Sequence, residues 1–308
     1  MKSIMSATAA TTFASLTLLS TGAHAASALC GQRVAPPAVY DHVVWIWMEN
    51  QSYEDIVGSP HAPYINNTLI AGCGLATNFH NITHPSLPNY IAATSGLSPR
   101  DLRRFRNNCD PEGRCSVTTD NLFAQAPTWK AYQESMPSPC FAEDAPLYTH
   151  LVNPPLYYST LSGCDQFDVP FPELQRDLDA DRLPAFAFVA PNLCNDMHNC
   201  PIDTGDAWLA RVVTRLVASA AYQRGTTAII VTFDEGRKQG SNRCATNTRE
   251  PGCHIVTLVV APSTAPGTVS AALFNHYSLL RTTEEMLGIG RFLGEAARAT
   301  SMRAAFNL

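Results

Sequence analysis

The sequence carries no surplus of positive charge. Its 21 Lys and Arg stand against 26 Asp and Glu, a net charge of −5, so it lacks the basic footprint that nucleic acid or an anionic membrane surface attracts. Charged residues of either sign fill only 15% of the 308 positions. With many Pro, Asn, Ser and Thr, that low share fits an exported chain. There is no Cys-x-x-Cys pair, which weakens a zinc–thiolate reading. Beyond the N-terminal segment no stretch is apolar enough to cross a bilayer. No internal repeat, low-complexity tract or linker divides the chain, so one domain is favoured over two. At 45% hydrophobic, such a domain has ample material for a core.

The N-terminus reads as a processing signal. Lys2 supplies the positive start, an apolar run of small residues follows through Leu19, and Ala23-His24-Ala25 has the small-x-small pattern of a cleavage site. The expectation is a signal peptide over residues 1–25, too short for a membrane anchor, and a mature domain over 26–308, secreted to the periplasm or beyond. All ten cysteines lie in that mature part. An even number in an exported chain implies disulfides. Cys109/Cys115, Cys194/Cys200 and Cys244/Cys253 each could close a short loop; Cys140/Cys164 and Cys30/Cys73 would complete the set, although spacing does not fix connectivity.

Four short apolar runs read as buried strands: residues 41–48 (DHVVWIWM), 183–190 (LPAFAFVA), 227–233 (TAIIVTF) and 254–261 (HIVTLVVA). Residues 75–82 are a further candidate, and 128–133 open another strand–helix unit. Helical patterns fall at 64–70, 171–179, 207–219 and 279–288. The stretch 98–117 is polar and Arg-rich, and 137–158, rich in Pro and Tyr, reads as irregular surface. Strands alternating with helices imply a mostly parallel α/β sheet.

Polar clusters follow several of these strands, at the edge where open α/β sheets bind ligands. They are Glu49-Asn50, Ser86 with Asn89, residues 192–198 with Asp196 and His198, and Asp234-Glu235. Pro85 and Pro88 flank the start of an Ala-rich helical run, so Ser86 falls at a helix N-terminus, where unpaired N–H groups favour an anion. Taken singly, each residue has a plain explanation. Capping serines far outnumber nucleophiles, and Asn or acidic pairs after strands are often only turns. His254 opens a strand and His276 precedes a helix, both ordinary structural positions. Taken together they would form an oxygen-rich pocket suited to a hard divalent cation, beside which a serine hydroxyl becomes a reasonable nucleophile.

The order of the motifs VVWIWMENQSY (43–53), APYINNTL (62–69), THPSLPNYIAATSG (83–96), LPAFAFVAPNLCNDMHN (183–199), GDAWL (205–209), TFDEG (232–236) and HYSLLRTTEEMLG (276–288) resembles the phosphoesterase family. That family comprises secreted bacterial and fungal acid phosphatases and phospholipases C, within the alkaline-phosphatase-like superfamily. The resemblance implies a three-layer α/β/α fold with a mostly parallel central sheet. It implies Glu49, Asn50, Asp234 and Glu235 as metal ligands and Ser86 as the phosphate-accepting nucleophile, itself touching the metal. Ser86 to Asn89 is similar to the Thr-Phe-Pro-Asn nucleophile turn of nucleotide pyrophosphatases, which carry a phosphate-binding Asn about two dozen residues later. Asn107 or Asn108 stands at that place, and Asn89 joins them as a phosphate-binding candidate. Asp196 and His198 would bind phosphate, protonate the leaving group or hold a second metal. Asp234-Glu235 replaces the Asp-His pair of two-zinc alkaline phosphatases, which leaves Mg, Ca, Mn or Zn open, in one site or a mixed one; His254 is a second-tier ligand.

What the resemblance implies about function is a secreted, metal-dependent phosphatase acting on phosphomonoesters, acid-active and extending to phosphoinositide headgroups. A histidine that must be protonated to donate works below ~6.5, the ordinary imidazole value. One alternative is a phospholipase C-type phosphodiesterase, although family phospholipases C usually carry extra C-terminal domains that this sequence does not show. The other is a non-catalytic exported binding protein on the same fold. No nucleic acid and no stable membrane anchor are expected.

Overall fold

The computed structural model describes Met1 and residues 29–237, 243–245 and 249–308; residues 2–25 of the expected signal segment lie outside them. The described residues build around one sheet whose strands are β1 (His42–Met48), β2 (Gly74–His80), β3 (Trp129–Gln133), β4 (Asp168–Pro170), β5 (Phe186–Ala190), β6 (Thr227–Phe233), β7 (His254–Val260), β8 (Thr268–Ser270) and β9 (Phe274–Asn275). The spatial order is β4-β3-β5-β1-β6-β7-β2-β8, with β9 also on β2. β7 pairs antiparallel with both β6 and β2, and every other pairing is parallel. The expected mostly parallel sheet is therefore present, with one reversed strand.

The central strands are apolar because both their faces are covered. Every residue of β6 is buried, as are the last six of β1. Trp45 and Trp47, two apart and so on one face, look toward the helices Ser86–Ser95 (α1) and His276–Met286. Trp45 donates its indole N–H to Thr283 Oγ1 at 3.0 Å, and the Trp47 ring lies 4.9 Å from both Tyr90 and His276. Two further helices, Pro172–Asp179 (α2) and Ile202–Ala218 (α3), precede His276–Met286, which is α4. All ten residues of α1 are buried, as expected of a helix without a polar face. It ends at Gly96, whose φ of 67° and approach to Leu293 O, 2.2 Å from any added Cβ, admit only glycine.

All five expected disulfides are formed: Cys30–Cys73, Cys109–Cys115, Cys140–Cys164, Cys194–Cys200 and Cys244–Cys253. No described helix is long and apolar enough to cross a membrane. One expectation fails. Residues 137–158 are not merely irregular surface, since Tyr148, His150, Asn153, Tyr157 and Tyr158 are buried. Asn153 ties the segment to the sheet, accepting from Gln133 Nε2 at 2.9 Å and donating to Asp168 Oδ2 at 2.8 Å. Composition hid this, because tyrosine and asparagine read as polar until their hydroxyls and amides find internal partners.

Asp168, at the start of β4, is fully buried and its Oδ1 has no partner. Burial pushes its carboxyl up to about 7, against a lowering hydrogen bond from Asn153. Between the ordinary carboxylate value and 7 the folded chain holds a proton the unfolded chain has lost, so stability falls as pH rises through that window. Urea unfolding from pH 4 to 7 is expected to show this decline, on the order of 4 kcal/mol for a shift of about three pH units. Asp168→Asn should remove that part of the slope.

Candidate active site at the carboxyl edge of the sheet

Two neighbouring parallel strands create the site. The β1–β6 register pairs Met48 with Phe233, so the next residues, Glu49 and Asp234, leave the sheet side by side. Asp234 N–H donates to Met48 O at 3.0 Å, and Asn50 N–H donates to Asp234 Oδ1 at 3.2 Å. Asn50 has a φ of 49°, the left-handed conformation that asparagine tolerates better than most residues. From the other side, Glu49 N–H donates to Asp196 O at 2.9 Å. That contact brings in the loop after β5. Gly205 in α3 makes room for the loop, since a Cβ there would sit 2.4 Å from Met197 Cγ.

Four carboxylates are thereby gathered out of water: Glu49, Asp196, Asp234 and Glu235 are 4%, 1%, 0% and 5% exposed. Burial first, then the neighbouring charges, raises the pKa of Glu49 and Asp234 well above the ordinary range. Asp196 is pushed up to about 8, chiefly by burial, with Asp234 and Glu134 adding to it. Asp234 Oδ2 and Asp196 Oδ2 have no hydrogen-bond partner. Glu49 Oε1 accepts from Tyr90 Oη at 2.8 Å, and Glu235 Oε2 lies 2.8 Å from His84 Nδ1. Buried carboxylates with idle oxygens are costly unless protonated or bound to a cation. All-oxygen donors select a hard divalent ion, so these residues fit the metal that the family resemblance implies. Among the described residues the tight groupings of His, Cys and acidic ligand atoms are His84/Cys244/Cys253, next to Glu235, and Cys140/Cys164/Asp168. Their thiols are locked in disulfides, so the looser oxygen set at the sheet edge is the better candidate.

Ser86 is the first residue of α1, 8% exposed, with its hydroxyl 3.5 Å from Asn50 Oδ1 and within reach of Asp234. It lines a cavity of about 250 Å³ together with Glu49, Asn108, Asp144, Tyr148 and His198. Asn108 Oδ1 accepts from Leu87 N–H at 3.2 Å, at the helix N-terminus itself, whereas Asn107 is exposed and does not line the cavity. His198 is exposed; its N–H is held by Asp196 Oδ1 at 2.7 Å and its Nδ1 lies 2.7 Å from Asn199 Oδ1.

Two of the sequence candidates occupy different positions from those expected. Asn89 is fully buried and turned away from the cavity. Its Oδ1 accepts from the Ile82 and Thr83 N–H groups at 2.9 and 3.1 Å, and its Nδ2 donates to Thr83 O and Pro85 O. It builds the turn that presents Ser86 and has no capacity left for phosphate. His254 sits at the same edge because β7 is reversed, but its ring stacks on Tyr53 at 4.2 Å, with Nε2 on Thr77 O and Nδ1 3.5 Å from Glu54. The imidazoles beside this cluster are His84, on the Glu235 carboxylate, and His276, whose Nε2 lies 2.7 Å from the main-chain carbonyl oxygen of Asp234. Sequence reasoning also missed Glu134, just past β3. It accepts from Asn192 N–H, Asn195 Nδ2 and Trp208 Nε1 at 2.9 to 3.0 Å and so braces the loop carrying Asp196 and His198. Only the polar residue at a strand's carboxyl end could have signalled it.

The α/β sheet, with a carboxylate cluster at its carboxyl edge and a serine at a helix N-terminus, has an alkaline-phosphatase-like fold. Solved structures agree. A protein of the alkaline phosphatase superfamily from Vibrio parahaemolyticus matches with a TM-score of 0.56 over 90% of this chain and 75% of its own, at 12% identity. Murine ectonucleotide pyrophosphatase/phosphodiesterase 5 matches at 0.55 over 82% and 96%, at 9% identity. Within that class the chain belongs to the phosphoesterase family, whose profile matches residues 59–290. It is 32% identical to a phosphatidylinositol-3-phosphatase of Mycobacterium tuberculosis over 81% of this chain and 78% of the relative. It is 27% identical to an acid phosphatase of Aspergillus fumigatus over 79% of this chain, which spans 54% of that protein's length.

The two asparagines near Ser86 should part company under mutation. Asn89→Ala strips several buried backbone groups of partners and should cost about 2–3 kcal/mol in urea unfolding. Asn108→Ala, with one contact, should stay within about 1 kcal/mol of wild type.

Proposed function

We propose that this protein is a phosphatase that hydrolyses small phosphomonoesters by transfer to Ser86. The observation that carries the reading is the placement of Ser86: first residue of a fully buried helix, opening on a cavity, beside a cluster of carboxylates with idle oxygens. The relatives named as acid phosphatase and phosphatidylinositol-3-phosphatase support the same reaction class. Glu49, Asn50, Asp234 and Glu235, with Ser86, would hold a divalent cation, which when bound supplies Lewis-acid stabilisation of negative charge on the reacting oxygens.

The chain's own groups account for the remaining steps. The helix N-terminus and the Asn108 amide orient the phosphoryl group next to Ser86. The Ser86 Oγ–P bond forms as the P–O bond to the leaving group breaks, and the serine proton passes toward the Asp234 carboxylate. His198, on the open side of the cavity and positioned by Asp196, gives a proton to the departing alkoxide. Water then attacks phosphorus and gives a proton to His198 as the P–Oγ bond of phosphoserine breaks; Ser86 Oγ takes its proton back from Asp234, and phosphate leaves. Export fits the five disulfides, which persist in oxidising compartments.

The decisive measurement is p-nitrophenyl phosphate hydrolysis with intact, chelator-treated and metal-restored protein. Chelation should abolish turnover and a divalent cation restore it. Ser86→Ala should lower kcat by about 10³-fold or more, as removal of a nucleophile does elsewhere; activity surviving that change would transfer the attack to water. Tyr90→Phe, which frees Glu49 Oε1, should raise the metal concentration needed for half-activity by about 10-fold, read by metal titration.

A further inference from the structure

The wall of the Ser86 cavity bears on which leaving groups the site accepts, and this rests on the phosphatase reading above. The charged residues lining the cavity are Glu49, Asp144 and His198; no Lys or Arg does so among the described residues. Glu49 belongs to the buried ligand set and His198 is the proton donor to the leaving oxygen, so the negative charge that the rest of an incoming leaving group meets is Asp144. Its side chain is 65% exposed, with Oδ1 2.9 Å from His150 Nδ1. Asp144 is also the shared wall of a second cavity of about 460 Å³, lined by Asp110, Glu112, Glu143 and His150 and again by no Lys or Arg. Asp110 Oδ1 lies 3.3 Å from His150 Nε2 on a side chain that is 73% exposed. On the far side of Asp144 the surface adjoining the active cavity therefore carries further carboxylates, so that four carboxylates and one imidazole line the second cavity. The wall is fixed in place by the Cys140–Cys164 disulfide, the Ala145–Tyr148 bridge and the buried Asn153.

We infer that Asp144 and the acidic surface continuing from it set specificity, favouring phosphomonoesters with a neutral or cationic leaving group over those with a second anionic group. A phosphate directed into this wall meets like charge with no guanidinium or ammonium to receive it, and such juxtaposition discriminates by repulsion. An ammonium group meets the opposite sign. The selection works against phosphoinositide headgroups bearing further phosphates as well as against sugar bisphosphates.

The test compares kcat/KM for O-phosphoethanolamine, p-nitrophenyl phosphate and fructose 1,6-bisphosphate with the full metal-loaded protein at low salt. Wild type should favour O-phosphoethanolamine over fructose 1,6-bisphosphate, both alkyl phosphates, with p-nitrophenyl phosphate as the reference for each variant. Asp144→Asn keeps an oxygen for His150 and should raise the bisphosphate-to-nitrophenyl ratio about five- to tenfold, the size expected of one charge across a partly solvated cavity. Glu143→Gln, an exposed change outside the active cavity, should move the same ratio in the same direction by about twofold, and raising salt should compress the wild-type preference. Ratios that stay fixed in both variants, in an enzyme that still turns over p-nitrophenyl phosphate, would overturn the inference. If Asp144→Asn fails to fold, the Glu143→Gln ratio and the salt dependence decide. An enzyme inactive on all three substrates would instead remove the phosphatase reading beneath it.

Discussion

The arrangement depends on one electrostatic conflict, the enforced closeness of carboxylates at the end of a parallel strand pair. Backbone register puts Glu49 beside Asp234, and no side-chain rotation can carry either into bulk water. The loop after β5 adds Asp196, and Glu235 follows Asp234 directly. The sheet that creates the conflict draws its stability elsewhere, from the tryptophans and aliphatic residues of its centre. Each large apolar side chain buried there contributes roughly 1.5–3 kcal/mol, which lets the fold carry groups that would otherwise favour opening. Functional edges of this kind are where a protein departs from its own rules of burial.

That conflict explains why the surrounding polar residues point where they do. Tyr90 and the Asn50 N–H each satisfy one carboxylate oxygen, and His84 and Asn89 attend Glu235. Two oxygens, Oδ2 of Asp234 and Oδ2 of Asp196, are left without a partner. Buried carboxylate oxygens left without a donor in this way suit a ligand of positive charge.

Much of this was legible in the chain. Continuous apolar runs marked β1, β5, β6 and β7 because strands covered on both faces have no polar alternation to show, and the acidic residues closing β1 and β6 located the edge. The reversal of β7 was not legible, since a buried strand reads the same in either direction. A parallel β7 would have left His254 at the opposite edge, so only the family resemblance made it a candidate ligand; at the edge it does occupy, its partners are Tyr53, Glu54 and Thr77. Asn89 misled for a different reason. It stands in the motif with Ser86, and a sequence records that two residues are neighbours without recording which of them turns its amide toward the backbone.

The least legible part was the cavity wall. Asp144, Tyr148 and His150 come from a stretch whose prolines and tyrosines carry no periodicity, and its position is fixed by long-range ties: a disulfide across 24 residues, and Asn153 linking two strands. The division has a physical basis. The candidate catalytic groups ride on strand ends and a helix start, whose positions follow from local pattern and register. The surface that meets the rest of the substrate rides on a loop, whose shape follows from contacts that only the folded chain contains. The residues proposed to perform the chemistry were accordingly found by reading along the chain, and those proposed to choose the substrate only by reading across it.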